Sequence, residues 1–159
     1  MTPWIQNVSL KDIINGFHIE PGFNSMLIQI VDPDGNFPTP KYEFKEVHQF
    51  KFLDLEKADD APDDLKITDD KAEAIVNLLR HALENNMNVV VHCVAGVCRS
   101  GATAEVGVMM GFRDAGAFRI PNLLVKHKLM KALGWVYDDD EVLPSTPSGI
   151  ILPTGSIKN

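Results

Sequence analysis

At 159 residues, 45% hydrophobic and 23% charged, the chain is long enough to bury one proper core and reads as a single globular domain. Its net charge of −7 argues against a nucleic-acid or membrane-surface protein, which would carry a basic face, but a local positive loop can still take an anionic substrate. There is no signal-peptide pattern and no bilayer-length apolar stretch, and two cysteines inside one loop are not a secreted disulfide framework, so a reducing cytoplasm is the expected setting.

Residues 1–25 are weakly patterned. Trp4, Ile5 and Val8 suit a short strand, and Ser9 to Asn15 suit one or two helical turns with Ser9 as N-cap and Gly16 as stop, a segment expected to pack as a lid over a sheet. Met26–Val31 reads as a buried strand. The turn Asp32-Pro33-Asp34-Gly35 follows, with proline pre-setting it and glycine expected to accept a positive φ. Residues 36–44 read as a loop that could wall a pocket, with Phe37, Tyr42 and Phe44 expected to pack. Val47–Leu55 reads as the next strand, with Phe50 and Phe52 inward and His48 a surface or hydrogen-bonded residue.

The stretch 56–70 is acidic and reads as a solvated loop that caps the following helix. Asp69 and Asp70 are the expected N-cap residues, and Asp70 with Glu73 has capping-box spacing. Ala72, Ile75, Val76, Leu79, Ala82 and Leu83 recur at helical spacing up to about Asn85 and mark the buried face. A strand at Val89–His92 precedes a helix from about Ser100 to Ala115, apolar almost all round and so expected to be central. Gly107 and Gly111 would permit close packing there, and Gly116 would stop it. A last helix, opened by Pro121 and stopped by Gly134, would bury Val125, Leu129, Met130 and Leu133 and leave Lys126, Lys128 and Lys131 solvated. Residues 138–159 are acidic, then rich in proline, serine and glycine, and are expected to form a flexible tail beyond a domain of residues 1–137. Alternating strands and helices imply an α/β fold: a central mixed, largely parallel sheet flanked by helices on both faces.

The chemistry concentrates in residues 89–101, VVVHCVAGVCRSG. A small-residue loop joins a strand end to a helix start, where inward N–H groups and the helix dipole make an anion site. That field favours the charged form of a cysteine placed at Cys93. Arg99, six residues on, can fold back and grip two oxygens of a phosphoryl group, with the backbone of Val94, Ala95, Gly96, Val97 and Cys98 holding the others. The implied reaction is attack by Cys93 on phosphorus, and it requires no metal or cofactor.

The motif H-C-x-x-G-x-x-R-S, complete at His92, Cys93, Gly96, Arg99 and Ser100, resembles the signature of the cysteine-dependent tyrosine and dual-specificity phosphatases. Pro121-Asn122 is similar to the Pro-Asn that opens the closing helix of the dual-specificity branch. The resemblance implies a dual-specificity-phosphatase-like fold and a cysteinyl-phosphate intermediate. Ser100 would help expel the sulfur, and His92 would orient the loop. The substrate would be a phosphorylated protein, carrying phosphotyrosine or phosphoserine/threonine, or a small phosphate ester. It also implies a general-acid aspartate roughly thirty residues upstream. Asp59 and Asp60 stand 34 and 33 residues before Cys93 and are the first choices, Asp60 ahead, with Asp63 and Asp54 as competitors. Cys98, at the position before the arginine, is similar in spacing to the second cysteine of the low-molecular-weight phosphatases, which implies a possible Cys93–Cys98 disulfide on oxidation. Two other readings stay open: a rhodanese-like sulfurtransferase, which Arg99-Ser100 disfavours, and a non-catalytic phosphate-binding module.

Overall fold

Val89, Val90 and Val91 are completely buried, and the sheet is built outward from them. The computed structural model describes residues 2–55, 62, 65–116 and 118–136. The described strands are β1 (Trp4–Ser9), β2 (Ser25–Val31), β3 (Glu46–Lys51), β4 (Asn88–Cys93) and β5 (Arg113–Asp114). The described helices are α1 (Leu10–Asn15), α2 (Asp69–Glu84), α3 (Arg99–Met110) and α4 (Leu123–Ala132). The sheet order is β3-β2-β4-β1-β5, which leaves the valine strand in the middle. Every pairing is parallel, so the antiparallel element of the expected mixed sheet is not among the described strands. Crossovers rather than hairpins join successive strands, and parallel pairing is what crossovers permit.

Alternation along the strands divides the core. Ile5, Met26, Ile28, Val89 and Val91 face the side covered by α2, α3 and α4. Trp4, Val8, Leu27 and Val90 face the other side, where Ile13 of α1 packs. Helices thus lie on both faces, three against one. α1 forms as its sequence reads: Ser9 Oγ accepts the Asp12 N–H at 3.0 Å, and Gly16 ends the helix at φ 74°.

Several boundaries move. Gly35 donates to Asp32 O at 2.8 Å and closes the turn from its last position, so no positive φ is required of it. β3 ends at Lys51, not Leu55; Phe52 keeps one bond to β2, its N–H to Val31 O at 3.1 Å, and residues 53–55 leave the sheet. Thr68, rather than Asp69 or Asp70, caps α2: its hydroxyl accepts the Lys71 N–H at 3.2 Å, and Asp69 instead pairs with Lys128 at 2.8 Å. α3 stops at Gly111 because the next residues pair with β1 as β5, so Gly116 plays no part in ending it. At Gly107 an added Cβ would sit 2.7 Å from Ile5 Cδ1, which explains how closely the helix meets the sheet. α4 is capped by Asn122, and Pro121 lies outside it. Because α4 packs against both α2 and α3, Lys128 is buried at 8% exposure and Lys126 pairs with Glu105 at 2.8 Å, against the expectation of solvated lysines. The loop 36–44 packs beneath α1's end, where Tyr42 and Phe44 flank His18, and does not wall the cleft described below. Asp59, Asp60, Asp63 and the tail from 138 lie outside the described residues. No described helix is long and apolar enough to cross a membrane.

Candidate active site

β4 ends at Cys93 and α3 begins at Arg99, so residues 94–98 turn at the carboxyl edge of the sheet, where ligands of open α/β sheets bind. The carbonyls of this loop are tied to the protein body. Val94 O accepts the Leu10 N–H at 3.1 Å, and Val97 O accepts the Ile120 N–H at 3.2 Å. Cys98 O accepts the N–H groups of Ala102 and Asn122 at 2.9 and 3.0 Å. Gly96 O accepts Asn7 Nδ2 at 2.8 Å. These bonds fix the peptide planes and leave N–H groups for the interior of the loop, where Gly96 donates to Cys93 Sγ at 3.2 Å. Gly96 has φ 78°, and a Cβ there would lie 2.4 Å from Ser9 N, so no other residue fits.

Cys93 is 2% exposed, with Ser100 Oγ at 3.2 Å from its sulfur. Arg99 is 4% exposed. Its NH1 donates to Asp32 Oδ1 and to Phe52 O, both at 2.7 Å, while its buried Nε–H has no partner among the described residues. An unsatisfied buried donor on a cation is costly, and an anion bound beside Cys93 would satisfy it. Cys93 and Arg99 open into a cleft of about 420 Å³ that Asp32, Asp54, Val94 and Cys98 also line. Asp54 Oδ1 accepts Asn122 Nδ2 at 2.5 Å. Cys98 sits beside this carboxylate. Burial and the Asp54 charge push its thiol up, Arg99 opposing, so it remains an S–H, and both cysteines are free.

Residues 56–109 match the model of a family described as polymorphic toxin system, DSP-PTPase phosphatase. The chain is similar to the dual-specificity type of cysteine phosphatase. The match spans roughly a third of the chain, from the acidic stretch through α2, β4 and the phosphate loop into α3. It supports phosphatase activity, and hence a phosphorylated substrate. A search of curated proteins finds no match. The parallel sheet with its helices is consistent with the fold of such phosphatases.

His92 of this phosphatase-like loop is completely buried at the end of β4. Its Nδ1 lies 3.3 Å from Cys93 O, which puts the proton on Nδ1, and Nε2 has no partner among the described residues. Burial drives its pKa down to about 4, the nearby Arg99 charge adding to the effect and the backbone contact opposing it. The ring is therefore neutral at physiological pH.

The sequence-predicted Cys93, Arg99 and Ser100 come together, with Val94, Ala95, Gly96, Val97 and Cys98 as the loop between them. Of the four upstream aspartates, Asp54 reaches the cleft; the other three are outside the described residues. Sequence reasoning missed Asp32, read there as a turn residue, and Asn7, whose one signal was a polar side chain inside an apolar strand. Asn122 was noticed as part of Pro-Asn but not as a partner of Asp54. Among the described residues no group of three His, Cys, Asp or Glu could hold a metal; Glu46 is instead shared by His48 and His81 at 2.9 and 3.0 Å. A second hollow, of about 440 Å³, lies between residues 20–23 and 41–45 and has neither cysteine nor arginine.

Proposed function

We propose that this phosphatase hydrolyses phosphate monoesters on proteins, phosphotyrosine together with phosphoserine and phosphothreonine, through a cysteinyl-phosphate, in a reducing cytoplasm. The observation that carries this reading is the pairing of Cys93 Sγ, under the Gly96 N–H, with an Arg99 anchored through NH1 and unpartnered at its buried Nε. In the first step Cys93 Sγ attacks phosphorus in line. Arg99 and the loop N–H groups hold the equatorial oxygens, where the charge of the transition state spreads. Asp54 is the general acid that protonates the leaving oxygen. In the second step the same carboxylate takes a proton from water as it attacks the phosphocysteine, and Ser100 Oγ donates to the departing sulfur. Support for Asp54 comes from its place on the cleft wall with Cys93 and Arg99. The loop side chains Val94, Ala95 and Val97 are uncharged, which suits a side-chain phosphate better than a polyanionic lipid headgroup.

The test is hydrolysis of para-nitrophenyl phosphate under reducing conditions with chelator present. Wild type is expected to turn over, Cys93→Ser to be inactive, and acid quenching of wild type to trap phosphate on Cys93. Inactive wild type, or activity retained in Cys93→Ser, overturns the mechanism; sulfur transfer from thiosulfate to Cys93 would put a sulfurtransferase in its place. An alanine set at Asp54, Asp59, Asp60 and Asp63 identifies the acid.

A further inference from the structure

Asn122 uses its whole side-chain amide at one junction. Its Oδ1 accepts the Val125 N–H at 3.0 Å and caps α4. Its Nδ2 donates to Asp54 Oδ1 at 2.5 Å and to Leu55 O at 2.9 Å. Its backbone N–H donates to Cys98 O at 3.0 Å, in the phosphate loop. The residue is 5% exposed, so these bonds are made away from water, where each is stronger and its loss dearer. One residue of α4's cap therefore touches both the segment that carries Asp54 and the loop that carries Cys93. A helix cap needs only the oxygen, and serine would supply it; the two donors are additional to that task.

We propose that Asn122 is the positioning residue for proton transfer by Asp54, holding the carboxyl group over the phosphate loop in both halves of the reaction. The inference rests on the reading of Asp54 as the general acid. A donor on Oδ1 suits either protonation state, because it can be given to the carbonyl oxygen of the acid or to the carboxylate. It thereby assigns the mobile proton to Oδ2. In the first step the Oδ2 proton passes to the ester oxygen as the P–O bond breaks and the S–P bond forms. In the second, water gives that proton back to Oδ2 as its oxygen bonds to phosphorus and the S–P bond breaks. The amide at Oδ1 stays in place throughout, so no reorganisation is needed between steps.

The experiment compares leaving groups. A general acid matters most when the leaving oxygen is strongly basic, so kcat/KM, which reports the steps up to departure of the leaving group and not hydrolysis of the shared phosphocysteine, is measured on phenyl phosphate and on 2,4-dinitrophenyl phosphate for wild type, Asp54→Asn, Asn122→Ser and Asn122→Asp. Asp54→Asn should lose on the order of 10²-fold in kcat/KM on phenyl phosphate and far less on the dinitrophenyl ester. Asn122→Ser keeps the cap oxygen and removes the donors; it should show the same selective loss at roughly tenfold, with a lowered melting temperature because two buried bonds are lost. Asn122→Asp also keeps the cap and sets a second carboxylate against Asp54; its selective loss should be at least as large, and it supplies the reading if the serine variant does not fold. Equal losses on both esters, or none, in the folded Asn122 variants while Asp54→Asn is selective would overturn the positioning role. No selectivity in Asp54→Asn itself would instead remove Asp54 as the acid and this inference with it.

Discussion

Replacing His92 with asparagine should flatten the acid limb of the stability curve. Asparagine keeps a polar atom near the Nδ1 position but has no ring to titrate. Between pH 6.5 and about 4 the unfolded chain binds a proton at His92 that the folded protein refuses. Stability linked to this group is therefore fully present above pH 6.5 and is lost as pH falls toward 4. From the ordinary 6.5 down to about 4, at roughly 1.4 kcal/mol for each tenfold change in proton affinity, the linked loss is about 3 kcal/mol. Carboxylates held below their usual range also weaken the fold in acid: Glu46 by His48 and His81, Asp69 by Lys128, Glu105 by Lys126, and Asp114 by Arg119. They are common to both proteins and cancel in the difference. Urea unfolding at half-unit intervals from pH 7.5 to 4.5 measures that difference. Wild type should lose stability more steeply than the variant by up to about 1.4 kcal/mol per pH unit. Parallel curves, or an NMR titration of the His92 ring near 6.5, would refute the argument that burial keeps it neutral.

Gly96→Ala combines a left-handed φ with a Cβ driven into the β1 backbone, so it should cost about 3 kcal/mol in urea unfolding and abolish turnover. Thr68→Ala removes the cap of α2, a side chain that does not line the cleft. It should lower stability by about 1 kcal/mol with kcat and KM unchanged. A competitive oxyanion such as tungstate, at a hundred times its Kd, should stabilise wild type by about 2.7 kcal/mol in a thermal shift assay. The same addition should do nothing for Arg99→Ala, which lacks the unpartnered Nε–H; an equal shift in that variant would place the anion elsewhere.

The sequence disclosed the parts whose cause is local. The valine run, the Ser9 cap, the left-handed Gly16 and Gly134, and the strand–loop–helix context of Cys93 all follow from residues within one turn or strand of each other. What it hid depends on distant partners. Gly111 ends α3 because β5 must reach β1, a pairing between residues more than a hundred positions apart. Thr68 outcompetes two aspartates as a cap because Asp69 is drawn to Lys128 on α4. Asp32 looks like any turn residue until β2 and β4 lie side by side and bring it to Arg99. Aspartate spacing alone did not show that Asp54 lines the cleft. It does so because β3 ends early, at Lys51, and the chain runs on beside Cys93 and Arg99.

The place of β1 in the sheet bears on how the molecule comes together. Among the described strands the first in sequence is flanked by β4 and β5, the two that come last. Ile5 must find Val89, and Trp4 must find Arg113, before either edge of β1 is paired. During vectorial synthesis this strand therefore waits, with its hydrogen-bonding edges open, while β2, β3 and α2 are made. Closure of so long a loop is slow, and an unpaired apolar strand is open to misassociation until it happens. The phosphate loop leans on the same strand, through Asn7 and the Gly96 contact with the β1 backbone. Anion-binding competence should consequently arrive with the last folding event, when β1 slots home, and not with the formation of the motif that names the chemistry.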